Sequence, residues 1–367
     1  MLTRVYIDNF RCFEKFEHKP ARRELLLGAN GTGKSSFVDA LSLIRQVAVF
    51  GEDLLDRIFN QRTRWLQQPH MNFEIDALLD GGIYRYRLFL EEGGPTLQSP
   101  RVNTEYLLLD GKPLIDFVGG EVRLYNDEFE RTATYPFDPR RSALATIAPR
   151  NDNLKLTRFK RWLGSLSAFR LNPFETEASS AKEDPYPRPD LTNFPSWYRH
   201  LVQIDPLHVS GLTEDLGTVL DGFKSLRFVP LHETSWLAAD FQTAGDLRTY
   251  AWNELSDGQR CLIELYAVLH FVLMTQAGTV IFDEPDNFLS LREIQPWLTA
   301  VEDVVEQRGA QVLIASHHPE VIDFWAPENR ALFVRGHAGP VRIEPLPTQP
   351  DSPLTLSELI ARGWERE

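Results

Sequence analysis

A glycine-rich segment followed by a lysine and two serines is the first part of the chain whose residue types suggest chemistry. The sequence LLLGANGTGKSSF spans residues 25–37 and contains the spacing G-x-x-x-x-G-K-S. Glycine N–H groups can turn toward one anion at backbone angles that side chains forbid, and a following helix start adds a positive dipole end. The segment therefore predicts a polyphosphate cradle formed by Gly28, Ala29, Asn30, Gly31, Thr32, Gly33, Lys34, Ser35 and Ser36.

Two side chains of this cradle have predicted tasks of their own. Lys34 is expected to neutralise the β- and γ-phosphates, and the Ser35 hydroxyl is expected to hold Mg²⁺. The alternative is an ordinary glycine turn before a helix. The full spacing is rare by chance, so it favours phosphate binding.

An acidic pair forms the second motif, TVIFDEPDNF. The apolar run from Thr279 to Phe282 predicts a buried strand that ends at Asp283 and Glu284, and ligands of α/β folds bind at the carboxyl ends of strands. We expect Asp283 to support Mg²⁺, directly or through water, and Glu284 to polarise a water molecule for attack on the γ-phosphate. Without a phosphate loop in the same chain, a solvated strand end would be the simpler interpretation.

Two further motifs lie at predicted ends of elements. In NELSDGQR, residues 253–260, Ser256 is a natural N-cap and Gly258 exposes bare backbone, so this helix start is also suited to an anion. In QVLIASHHPE, Ser316 and His317 follow an apolar strand, where an imidazole can hydrogen-bond a γ-phosphate. Taken alone, the first motif is a capped helix and the second a structural histidine.

Composition limits the class of protein. The chain has 367 residues, 43% of them hydrophobic, and so can bury a large core in two or three lobes. Its two cysteines, Cys12 and Cys261, are far apart in sequence, which predicts neither a disulfide framework nor a thiolate metal site and fits a cytoplasmic location. The longest apolar stretch, Cys261 to Met274, contains Glu264 and predicts a buried core helix instead of a membrane span. The N-terminus predicts a strand and no cleaved leader.

Charge limits the partners. The net charge is −13, from 39 basic and 52 acidic residues, which argues against a surface that binds nucleic acid everywhere. The segment Arg140–Arg161 is locally basic, with seven Lys or Arg residues against the single acid Asp152. It is either a solvated helix face or a contact to a DNA backbone.

The elements that position these motifs fall into three predicted segments. Residues 1–135 are interpreted as a β-rich N-terminal lobe with hairpin turns such as DGG and DGK, interrupted by a helix after the phosphate loop. Residues 136–228 are interpreted as a helical insertion without heptads, which excludes a long coiled coil. Residues 229–367 are interpreted as a C-terminal lobe in which strands alternate with helices, typical of a parallel sheet.

The ordered set GANGTGKSS, LSDGQ, IFDEP and SHHP resembles the ATP-binding-cassette (ABC) ATPases, in particular the soluble branch with SMC, RecF and OLD-type heads. The opening VYIDNFRCFEKFE is similar to the N-terminal strand pair of that branch. The resemblance covers roughly residues 1–90 and 229–335. It implies an α/β fold of the P-loop NTPase class with ABC-ATPase head topology.

In this family the signature loop of one subunit caps the nucleotide held by the phosphate loop of another. The resemblance thus implies a homodimer in the ATP state, with Ser256, Gly258 and Gln259 acting in trans on Mg²⁺-ATP. It also implies that His317, or with less support His318, senses the γ-phosphate. With less support, the resemblance implies that Arg11, which follows the first strand, contacts the phosphates.

The chain departs from the family pattern at several positions. Asp257 replaces the usual signature glycine, and Ser290 stands where many relatives have an aspartate after the acidic pair. The glutamine loop has no clear position, with Gln61, Gln67 and Gln68 as candidates. About 30 residues follow Arg335, too few for the acidic metal-binding domain of OLD nucleases, so we expect no nuclease domain in this chain.

Two classes of function remain open. The first is an ATPase that dimerises around ATP and acts on DNA or controls a partner effector, in DNA repair or phage defence. The second is a nucleotide-sensing scaffold with little turnover that restrains a toxin or nuclease partner. Glu284 favours the first, because a pure sensor needs no base. A transporter subunit fits poorly, since the N-terminal lobe is β-rich, the glutamine loop has no clear position and the middle segment is unusual.

Overall fold

The computed structural model describes residues 1–53, 55–93, 99–273, 278–326, 329–336, 339–345 and 354–363. The chain forms two compact units. Unit 1 comprises Met1–Ser167 and Asn329–Thr348, and unit 2 comprises Ala168–Glu328 and Gln349–Glu367. The division into residues 1–135, 136–228 and 229–367 was based on element type and stays a prediction.

Unit 1 contains an antiparallel sheet of eight strands within the described residues. Its alternating sequences bury every second side chain, as in the strand that places Tyr84, Tyr86, Leu88 and Leu90 in the core. Tight turns at Asp80–Gly81 and Asp110–Gly111 have positive φ at both residues, which confirms the hairpins predicted from DG pairs. In sheet order the strands are β2 (Phe16–His18), β1 (Leu2–Asp8), β4 (His70–Leu79), β5 (Gly82–Glu91), β6 (Arg101–Leu109), β7 (Lys112–Val118), β8 (Glu121–Tyr125) and β9 (Arg131–Pro136).

A parallel strand pair in unit 1 carries the glycine-rich loop. Strand β3 (Arg23–Leu27) is fully buried and pairs in parallel with β17 (Arg330–Val334), which pairs antiparallel with β18 (Arg342–Glu344). The loop after β3 leads into α1 (Lys34–Ala48), whose Phe37 packs against Phe333 with ring centroids 5.9 Å apart. The other helices of this unit are α2 (Leu55–Phe59), α3 (Ala143–Thr146) and α4 (Leu154–Ser165).

Unit 2 combines a parallel strand pair with an antiparallel sheet that the sequence did not predict. Strands β15 (Thr279–Asp283) and β16 (Gln311–Ala315) are parallel and fully buried, with the short β10 (Ser167–Phe169) beside β15. The antiparallel sheet contains β11 (Ser179–Ser180), β12 (Phe223–Leu231), β13 (Thr234–Thr243) and β14 (Asp246–Ala251). The helices are α5 (Phe194–Ile204), α6 (Pro206–Val219), α7 (Asp257–Val268), α8 (Leu291–Arg308), α9 (Pro319–Trp325) and α10 (Leu356–Ala361).

The long apolar stretch forms a buried helix, as predicted. Helix α7 continues into a π-helical turn, Leu269–Leu273, and the residues from Cys261 to Leu273 are buried, while Met274 lies outside the described residues. Among the helices that the structure describes, none is long and apolar enough to cross a membrane.

Glu264 is the one acidic residue of that stretch and is completely buried in α7. The Thr176 hydroxyl donates a hydrogen bond of 2.8 Å to its Oε1, but burial dominates and raises the pKa of Glu264 to about 8. The folded protein therefore keeps a proton on Glu264 at pH values where the unfolded chain, with a pKa near 4.5, has lost it. The contribution of Glu264 to the free energy of unfolding is therefore largest at low pH and is lost as the pH rises toward 8.

We predict that Glu264→Gln reduces the pH dependence of folding. The variant should resemble wild type near pH 5 and exceed its unfolding free energy at pH 8 by about 1–3 kcal/mol, because the buried amide does not ionise. Urea unfolding from pH 5 to 9 measures the difference. The control is Glu306→Gln, an exposed position in α8, which should leave the profile unchanged. Equal profiles for Glu264→Gln and wild type would contradict the prediction.

Candidate functional site

The glycine-rich loop has the backbone conformation that the sequence predicts. Gly28, Gly31 and Gly33 have φ values of 139°, 82° and 105°, all in the region that disfavours side chains. A Cβ on Gly28 would lie 2.3 Å from the carbonyl oxygen of Phe333, so the loop also packs directly on β17. The loop ends at Gly33, the N-cap of α1, where free N–H groups and the helix dipole favour an anion.

Lys34 extends back across this loop. Its side chain is 6% exposed, and Nζ donates a hydrogen bond of 2.5 Å to the Gly28 carbonyl. The Thr32 hydroxyl donates to the Ala29 carbonyl at 2.8 Å and so closes the turn. Ala29, Asn30 and Gly31 are exposed at the tip of the loop, and Ser35 and Ser36 are half-buried in the first turn of α1. A charged amine that bonds a neutral carbonyl can exchange it for a phosphate oxygen.

Arg11 lies beside the first turn of α1. It adopts φ 49°, and its guanidinium pairs with Asp39 at 2.5 Å, approaches the Ser36 hydroxyl at 3.5 Å and donates to Gln61 Oε1 at 2.7 Å. The structure therefore brings Arg11 to the loop helix and brings one candidate glutamine, Gln61, to Arg11. Gln61 also accepts a hydrogen bond from the Arg11 backbone N–H through its carbonyl.

Arg335 also lies beside the loop, although no sequence motif includes it. It follows β17, and its guanidinium approaches the Gly31 carbonyl at 3.4 Å and lies 5.4 Å from the ring centroid of Trp65. The Trp65 indole N–H donates to Glu14 at 3.1 Å. Because these partners come from distant parts of the chain, no local motif marks them.

In unit 2, β15 positions the acidic pair. Asp283 ends the strand and is only 3% exposed, whereas Glu284 is half-buried and has φ 54°, an unfavourable conformation for a side chain of its size. The Glu284 N–H donates to the Ala315 carbonyl at 2.8 Å, and its carboxylate accepts a hydrogen bond of 2.9 Å from Asn287. Such strained positions occur at functional sites and fix the direction of a side chain.

The segment after β16 faces the same turn. Ser316 is buried, and its hydroxyl accepts a hydrogen bond of 2.9 Å from the His318 N–H. His317 is exposed, while His318 is half-buried and contributes favourably to the charge of Asp286. Burial nevertheless raises the pKa of Asp286, with a hydrogen bond from Ser316 acting in the opposite direction. His317 is thus the histidine that is open to solvent.

The predicted signature residues form a capping box at the start of α7. The Ser256 hydroxyl accepts from the Gln259 N–H at 3.2 Å, and Gln259 Oε1 accepts from the Ser256 N–H at 3.0 Å. A Cβ on Gly258 would lie 2.9 Å from the Phe288 carbonyl, so the helix start packs on the turn after β15. Asp257 pairs with Arg260, which offsets the negative charge that replaces the usual glycine.

The two residues expected to hold Mg²⁺ lie in different units, Ser35 in unit 1 and Asp283 in unit 2, so each is described by its own chemistry. Among the described residues, no group of three or more His, Cys, Asp or Glu side chains is placed to hold a metal. Ser35 offers a hydroxyl and Asp283 a carboxylate. Mg²⁺ takes oxygen ligands, commonly few of them from protein, and completes its shell with phosphate oxygens and water, so the oxygen of each residue is a ligand of the type that this ion takes.

The basic segment Arg140–Arg161 is largely paired within unit 1. Arg141 and Arg161 are exposed, and the five other basic residues have internal partners. These pairs are Arg140 with Asp138, Arg150 with Asp152, Arg158 with Asp80, Lys155 with the Asp127 carbonyl, and Lys160 with the carbonyls of Ala145 and Ile147. The DNA contact stays a prediction.

The chain is similar in fold to SMC head domains. The SMC head domain from Thermotoga maritima matches with a TM-score of 0.52 and 14% identity over 95% of this chain and 99% of that one. An SMC head bound to the C-winged helix domain of ScpA matches with a TM-score of 0.56 and 12% identity over 98% of this chain and 99% of that one. A third match is an Smc head with an extended coiled coil, bound to the C-terminal domain of ScpA derived from Pyrococcus furiosus. Its TM-score is 0.52 and its identity 11%, over 100% of this chain and 99% of that one. These likenesses confirm the predicted ABC-ATPase head fold.

The family follows from the sequence itself. Residues 25–323 match the model described as "AAA domain, putative AbiEii toxin, Type IV TA system", which is more than half of the chain. The chain belongs to this AAA family, and its fold is similar to that of SMC head domains. A comparison with curated proteins finds no significant match.

We predict that Gly28→Ala is much more damaging than Gly31→Ala. The Gly28 Cβ would collide with the backbone of β17, whereas a Gly31 Cβ meets open space and adds only the strain of a positive φ, about 1 kcal/mol. We expect Gly28→Ala to lower the unfolding free energy by roughly 2–4 kcal/mol. Equal urea midpoints for the two variants would show that contact with β17 is unimportant.

Proposed function

We propose that the protein binds Mg²⁺-ATP at the loop Gly28–Ser36 and hydrolyses it. The observation that carries the proposal is the loop itself, in which three left-handed glycines, a helix N-terminus and the buried Lys34 surround a position suited to phosphates. The strand-end pair of Asp283 and Glu284 supports the hydrolytic part. Family membership and the shared head fold agree with both.

Each residue has a defined part in the proposed reaction. Lys34 exchanges the Gly28 carbonyl for the β- and γ-phosphates, and Ser35 and Asp283 hold Mg²⁺, which neutralises charge on those phosphates when it is bound. Glu284 accepts a proton from the water that attacks the γ-phosphate. Its backbone bond to Ala315 and its side-chain bond to Asn287 hold the carboxylate in one direction before nucleotide binds.

We further propose that two copies associate head to tail around ATP. The capped start of α7, with Ser256, Gly258 and Gln259, would contact nucleotide held by the partner copy, and the exposed His317 would contact the γ-phosphate. Arg11 would reach the phosphates after release from Asp39. A bridging γ-phosphate disappears on hydrolysis, which provides the differential binding that a switch requires.

The downstream target is proposed to be a partner protein, in phage defence or DNA repair. Two of the structurally similar SMC heads are bound to ScpA domains, and the description of the matching family includes a toxin–antitoxin system. A DNA contact through Arg140–Arg161 has less support, because five of its seven basic residues already bond to groups within unit 1.

We predict that Glu284→Gln lowers the ATP turnover rate by a factor of about 10²–10⁴ and leaves nucleotide affinity nearly unchanged, because the amide keeps the shape but cannot accept the proton. Phosphate release and binding of a fluorescent ATP analogue measure the two quantities. Glu306→Gln, at an exposed position of α8, is the control. If wild type releases no more phosphate than Glu284→Gln, the enzyme proposal fails and the nucleotide-sensing scaffold becomes the better account.

We predict that a non-hydrolysable ATP analogue shifts wild type to a dimer in size-exclusion chromatography and leaves Lys34→Ala monomeric. Lys34 supplies the fixed positive charge of the loop, so its loss should weaken nucleotide binding and with it the association. Ser256→Trp should bind the analogue but fail to dimerise, because Ser256 is exposed and a large side chain there would block the start of α7. Identical elution of wild type and Lys34→Ala with the analogue would contradict the dimer proposal.

A further inference from the structure

Arg170 is a basic residue at the acidic pair that none of the sequence motifs includes. It follows β10 directly, and β10 lies beside β15 in the sheet. The preceding residue, Phe169, contacts Phe282 with ring centroids 6.1 Å apart, so packing fixes the backbone at this point. The guanidinium of Arg170 is thereby held near the end of β15, with its Nε 3.9 Å from Oδ2 of Asp283.

The two partners of this ion pair differ greatly in exposure. The Asp283 side chain is 3% exposed and the Arg170 side chain is 68% exposed. A buried carboxylate needs a compensating charge, since an uncompensated one is costly to desolvate. An exposed arginine can provide that charge and can also leave without disturbing the core. The separation is at the outer limit of an ion pair, which suits a contact that is made and broken.

We propose that Arg170 is a positioning residue that occupies the cation's place at Asp283 until Mg²⁺ arrives with the nucleotide. In the cation-free protein it compensates the carboxylate and keeps it directed toward the strand end. When the divalent ion binds, Arg170 is displaced into solvent, so Arg170 competes with the ion for Asp283. The inference rests on the proposed function, because that function assigns Asp283 to Mg²⁺.

A second ion pair of unit 2 provides a matched control. Arg188 and Glu177 approach to 3.8 Å, and both side chains are about half exposed. The pair has nearly the same length as Arg170–Asp283, but its carboxylate is on the surface and is not part of the acidic motif. Removal of Arg188 should therefore leave the behaviour of a bound divalent ion unchanged.

The experiment titrates Mn²⁺, as a spectroscopic substitute for Mg²⁺, into the full chain saturated with the non-hydrolysable analogue AMP-PNP. Electron paramagnetic resonance reports free Mn²⁺. Arg170→Ala should lower the half-saturating Mn²⁺ concentration about fivefold, because one competing unit charge is lost. Arg170→Lys should stay near wild type, since it keeps the charge, and Arg188→Ala should match wild type. An unchanged or raised half-saturating concentration in Arg170→Ala would overturn the inference.

Parallel variants separate this failure from failure of the proposed function. Asp283→Asn should raise the half-saturating Mn²⁺ concentration, and Ser35→Ala gives a second measure if the first variant does not fold. If both bind Mn²⁺ as wild type does, the metal assignment in the proposed function is wrong, and the role of Arg170 fails with it. If they bind more weakly but Arg170→Ala is unchanged, only the role of Arg170 is wrong.

Discussion

The proposed phosphate-binding part of unit 1 depends on the conformation of one short loop, residues 28–33. Between β3 and α1 the chain turns through positive φ at Gly28, Gly31 and Gly33, a backbone conformation that side chains disfavour and that suits an anion-binding loop. The carbonyl of Phe333 leaves no room for a side chain at Gly28. The strand β17, which comes from near the C-terminus, thus determines the shape of a loop near the N-terminus.

Buried acids in unit 2 are compensated in different ways. Glu264, in α7, is completely buried, and this burial raises its pKa to about 8, so near neutral pH the carboxyl group is largely protonated. Asp283 is almost as buried but has Arg170 at the strand end. A group that serves only packing can remain neutral, whereas a carboxylate that binds a cation must be able to carry its charge.

The SMC heads share this fold with the chain at 11–14% identity. Packing tolerates many apolar substitutions as long as volume and pattern are kept, so most of the sequence can diverge. Phosphate binding is less tolerant. It needs bare backbone and a fixed charge at defined positions, which explains why residues 25–37 were interpretable without knowledge of the fold.

The sequence alone determined the features whose chemistry is local. The spacing around Lys34, the acidic pair after a run of apolar residues, and the DG hairpins each depend on neighbouring residues, so their structures could be predicted. Only the tertiary structure placed Arg170 at Asp283, Arg335 at Gly31 and Gln61 at Arg11. These contacts join residues far apart in the chain, and strands as short as β10 have no periodicity to detect, so packing alone decides them.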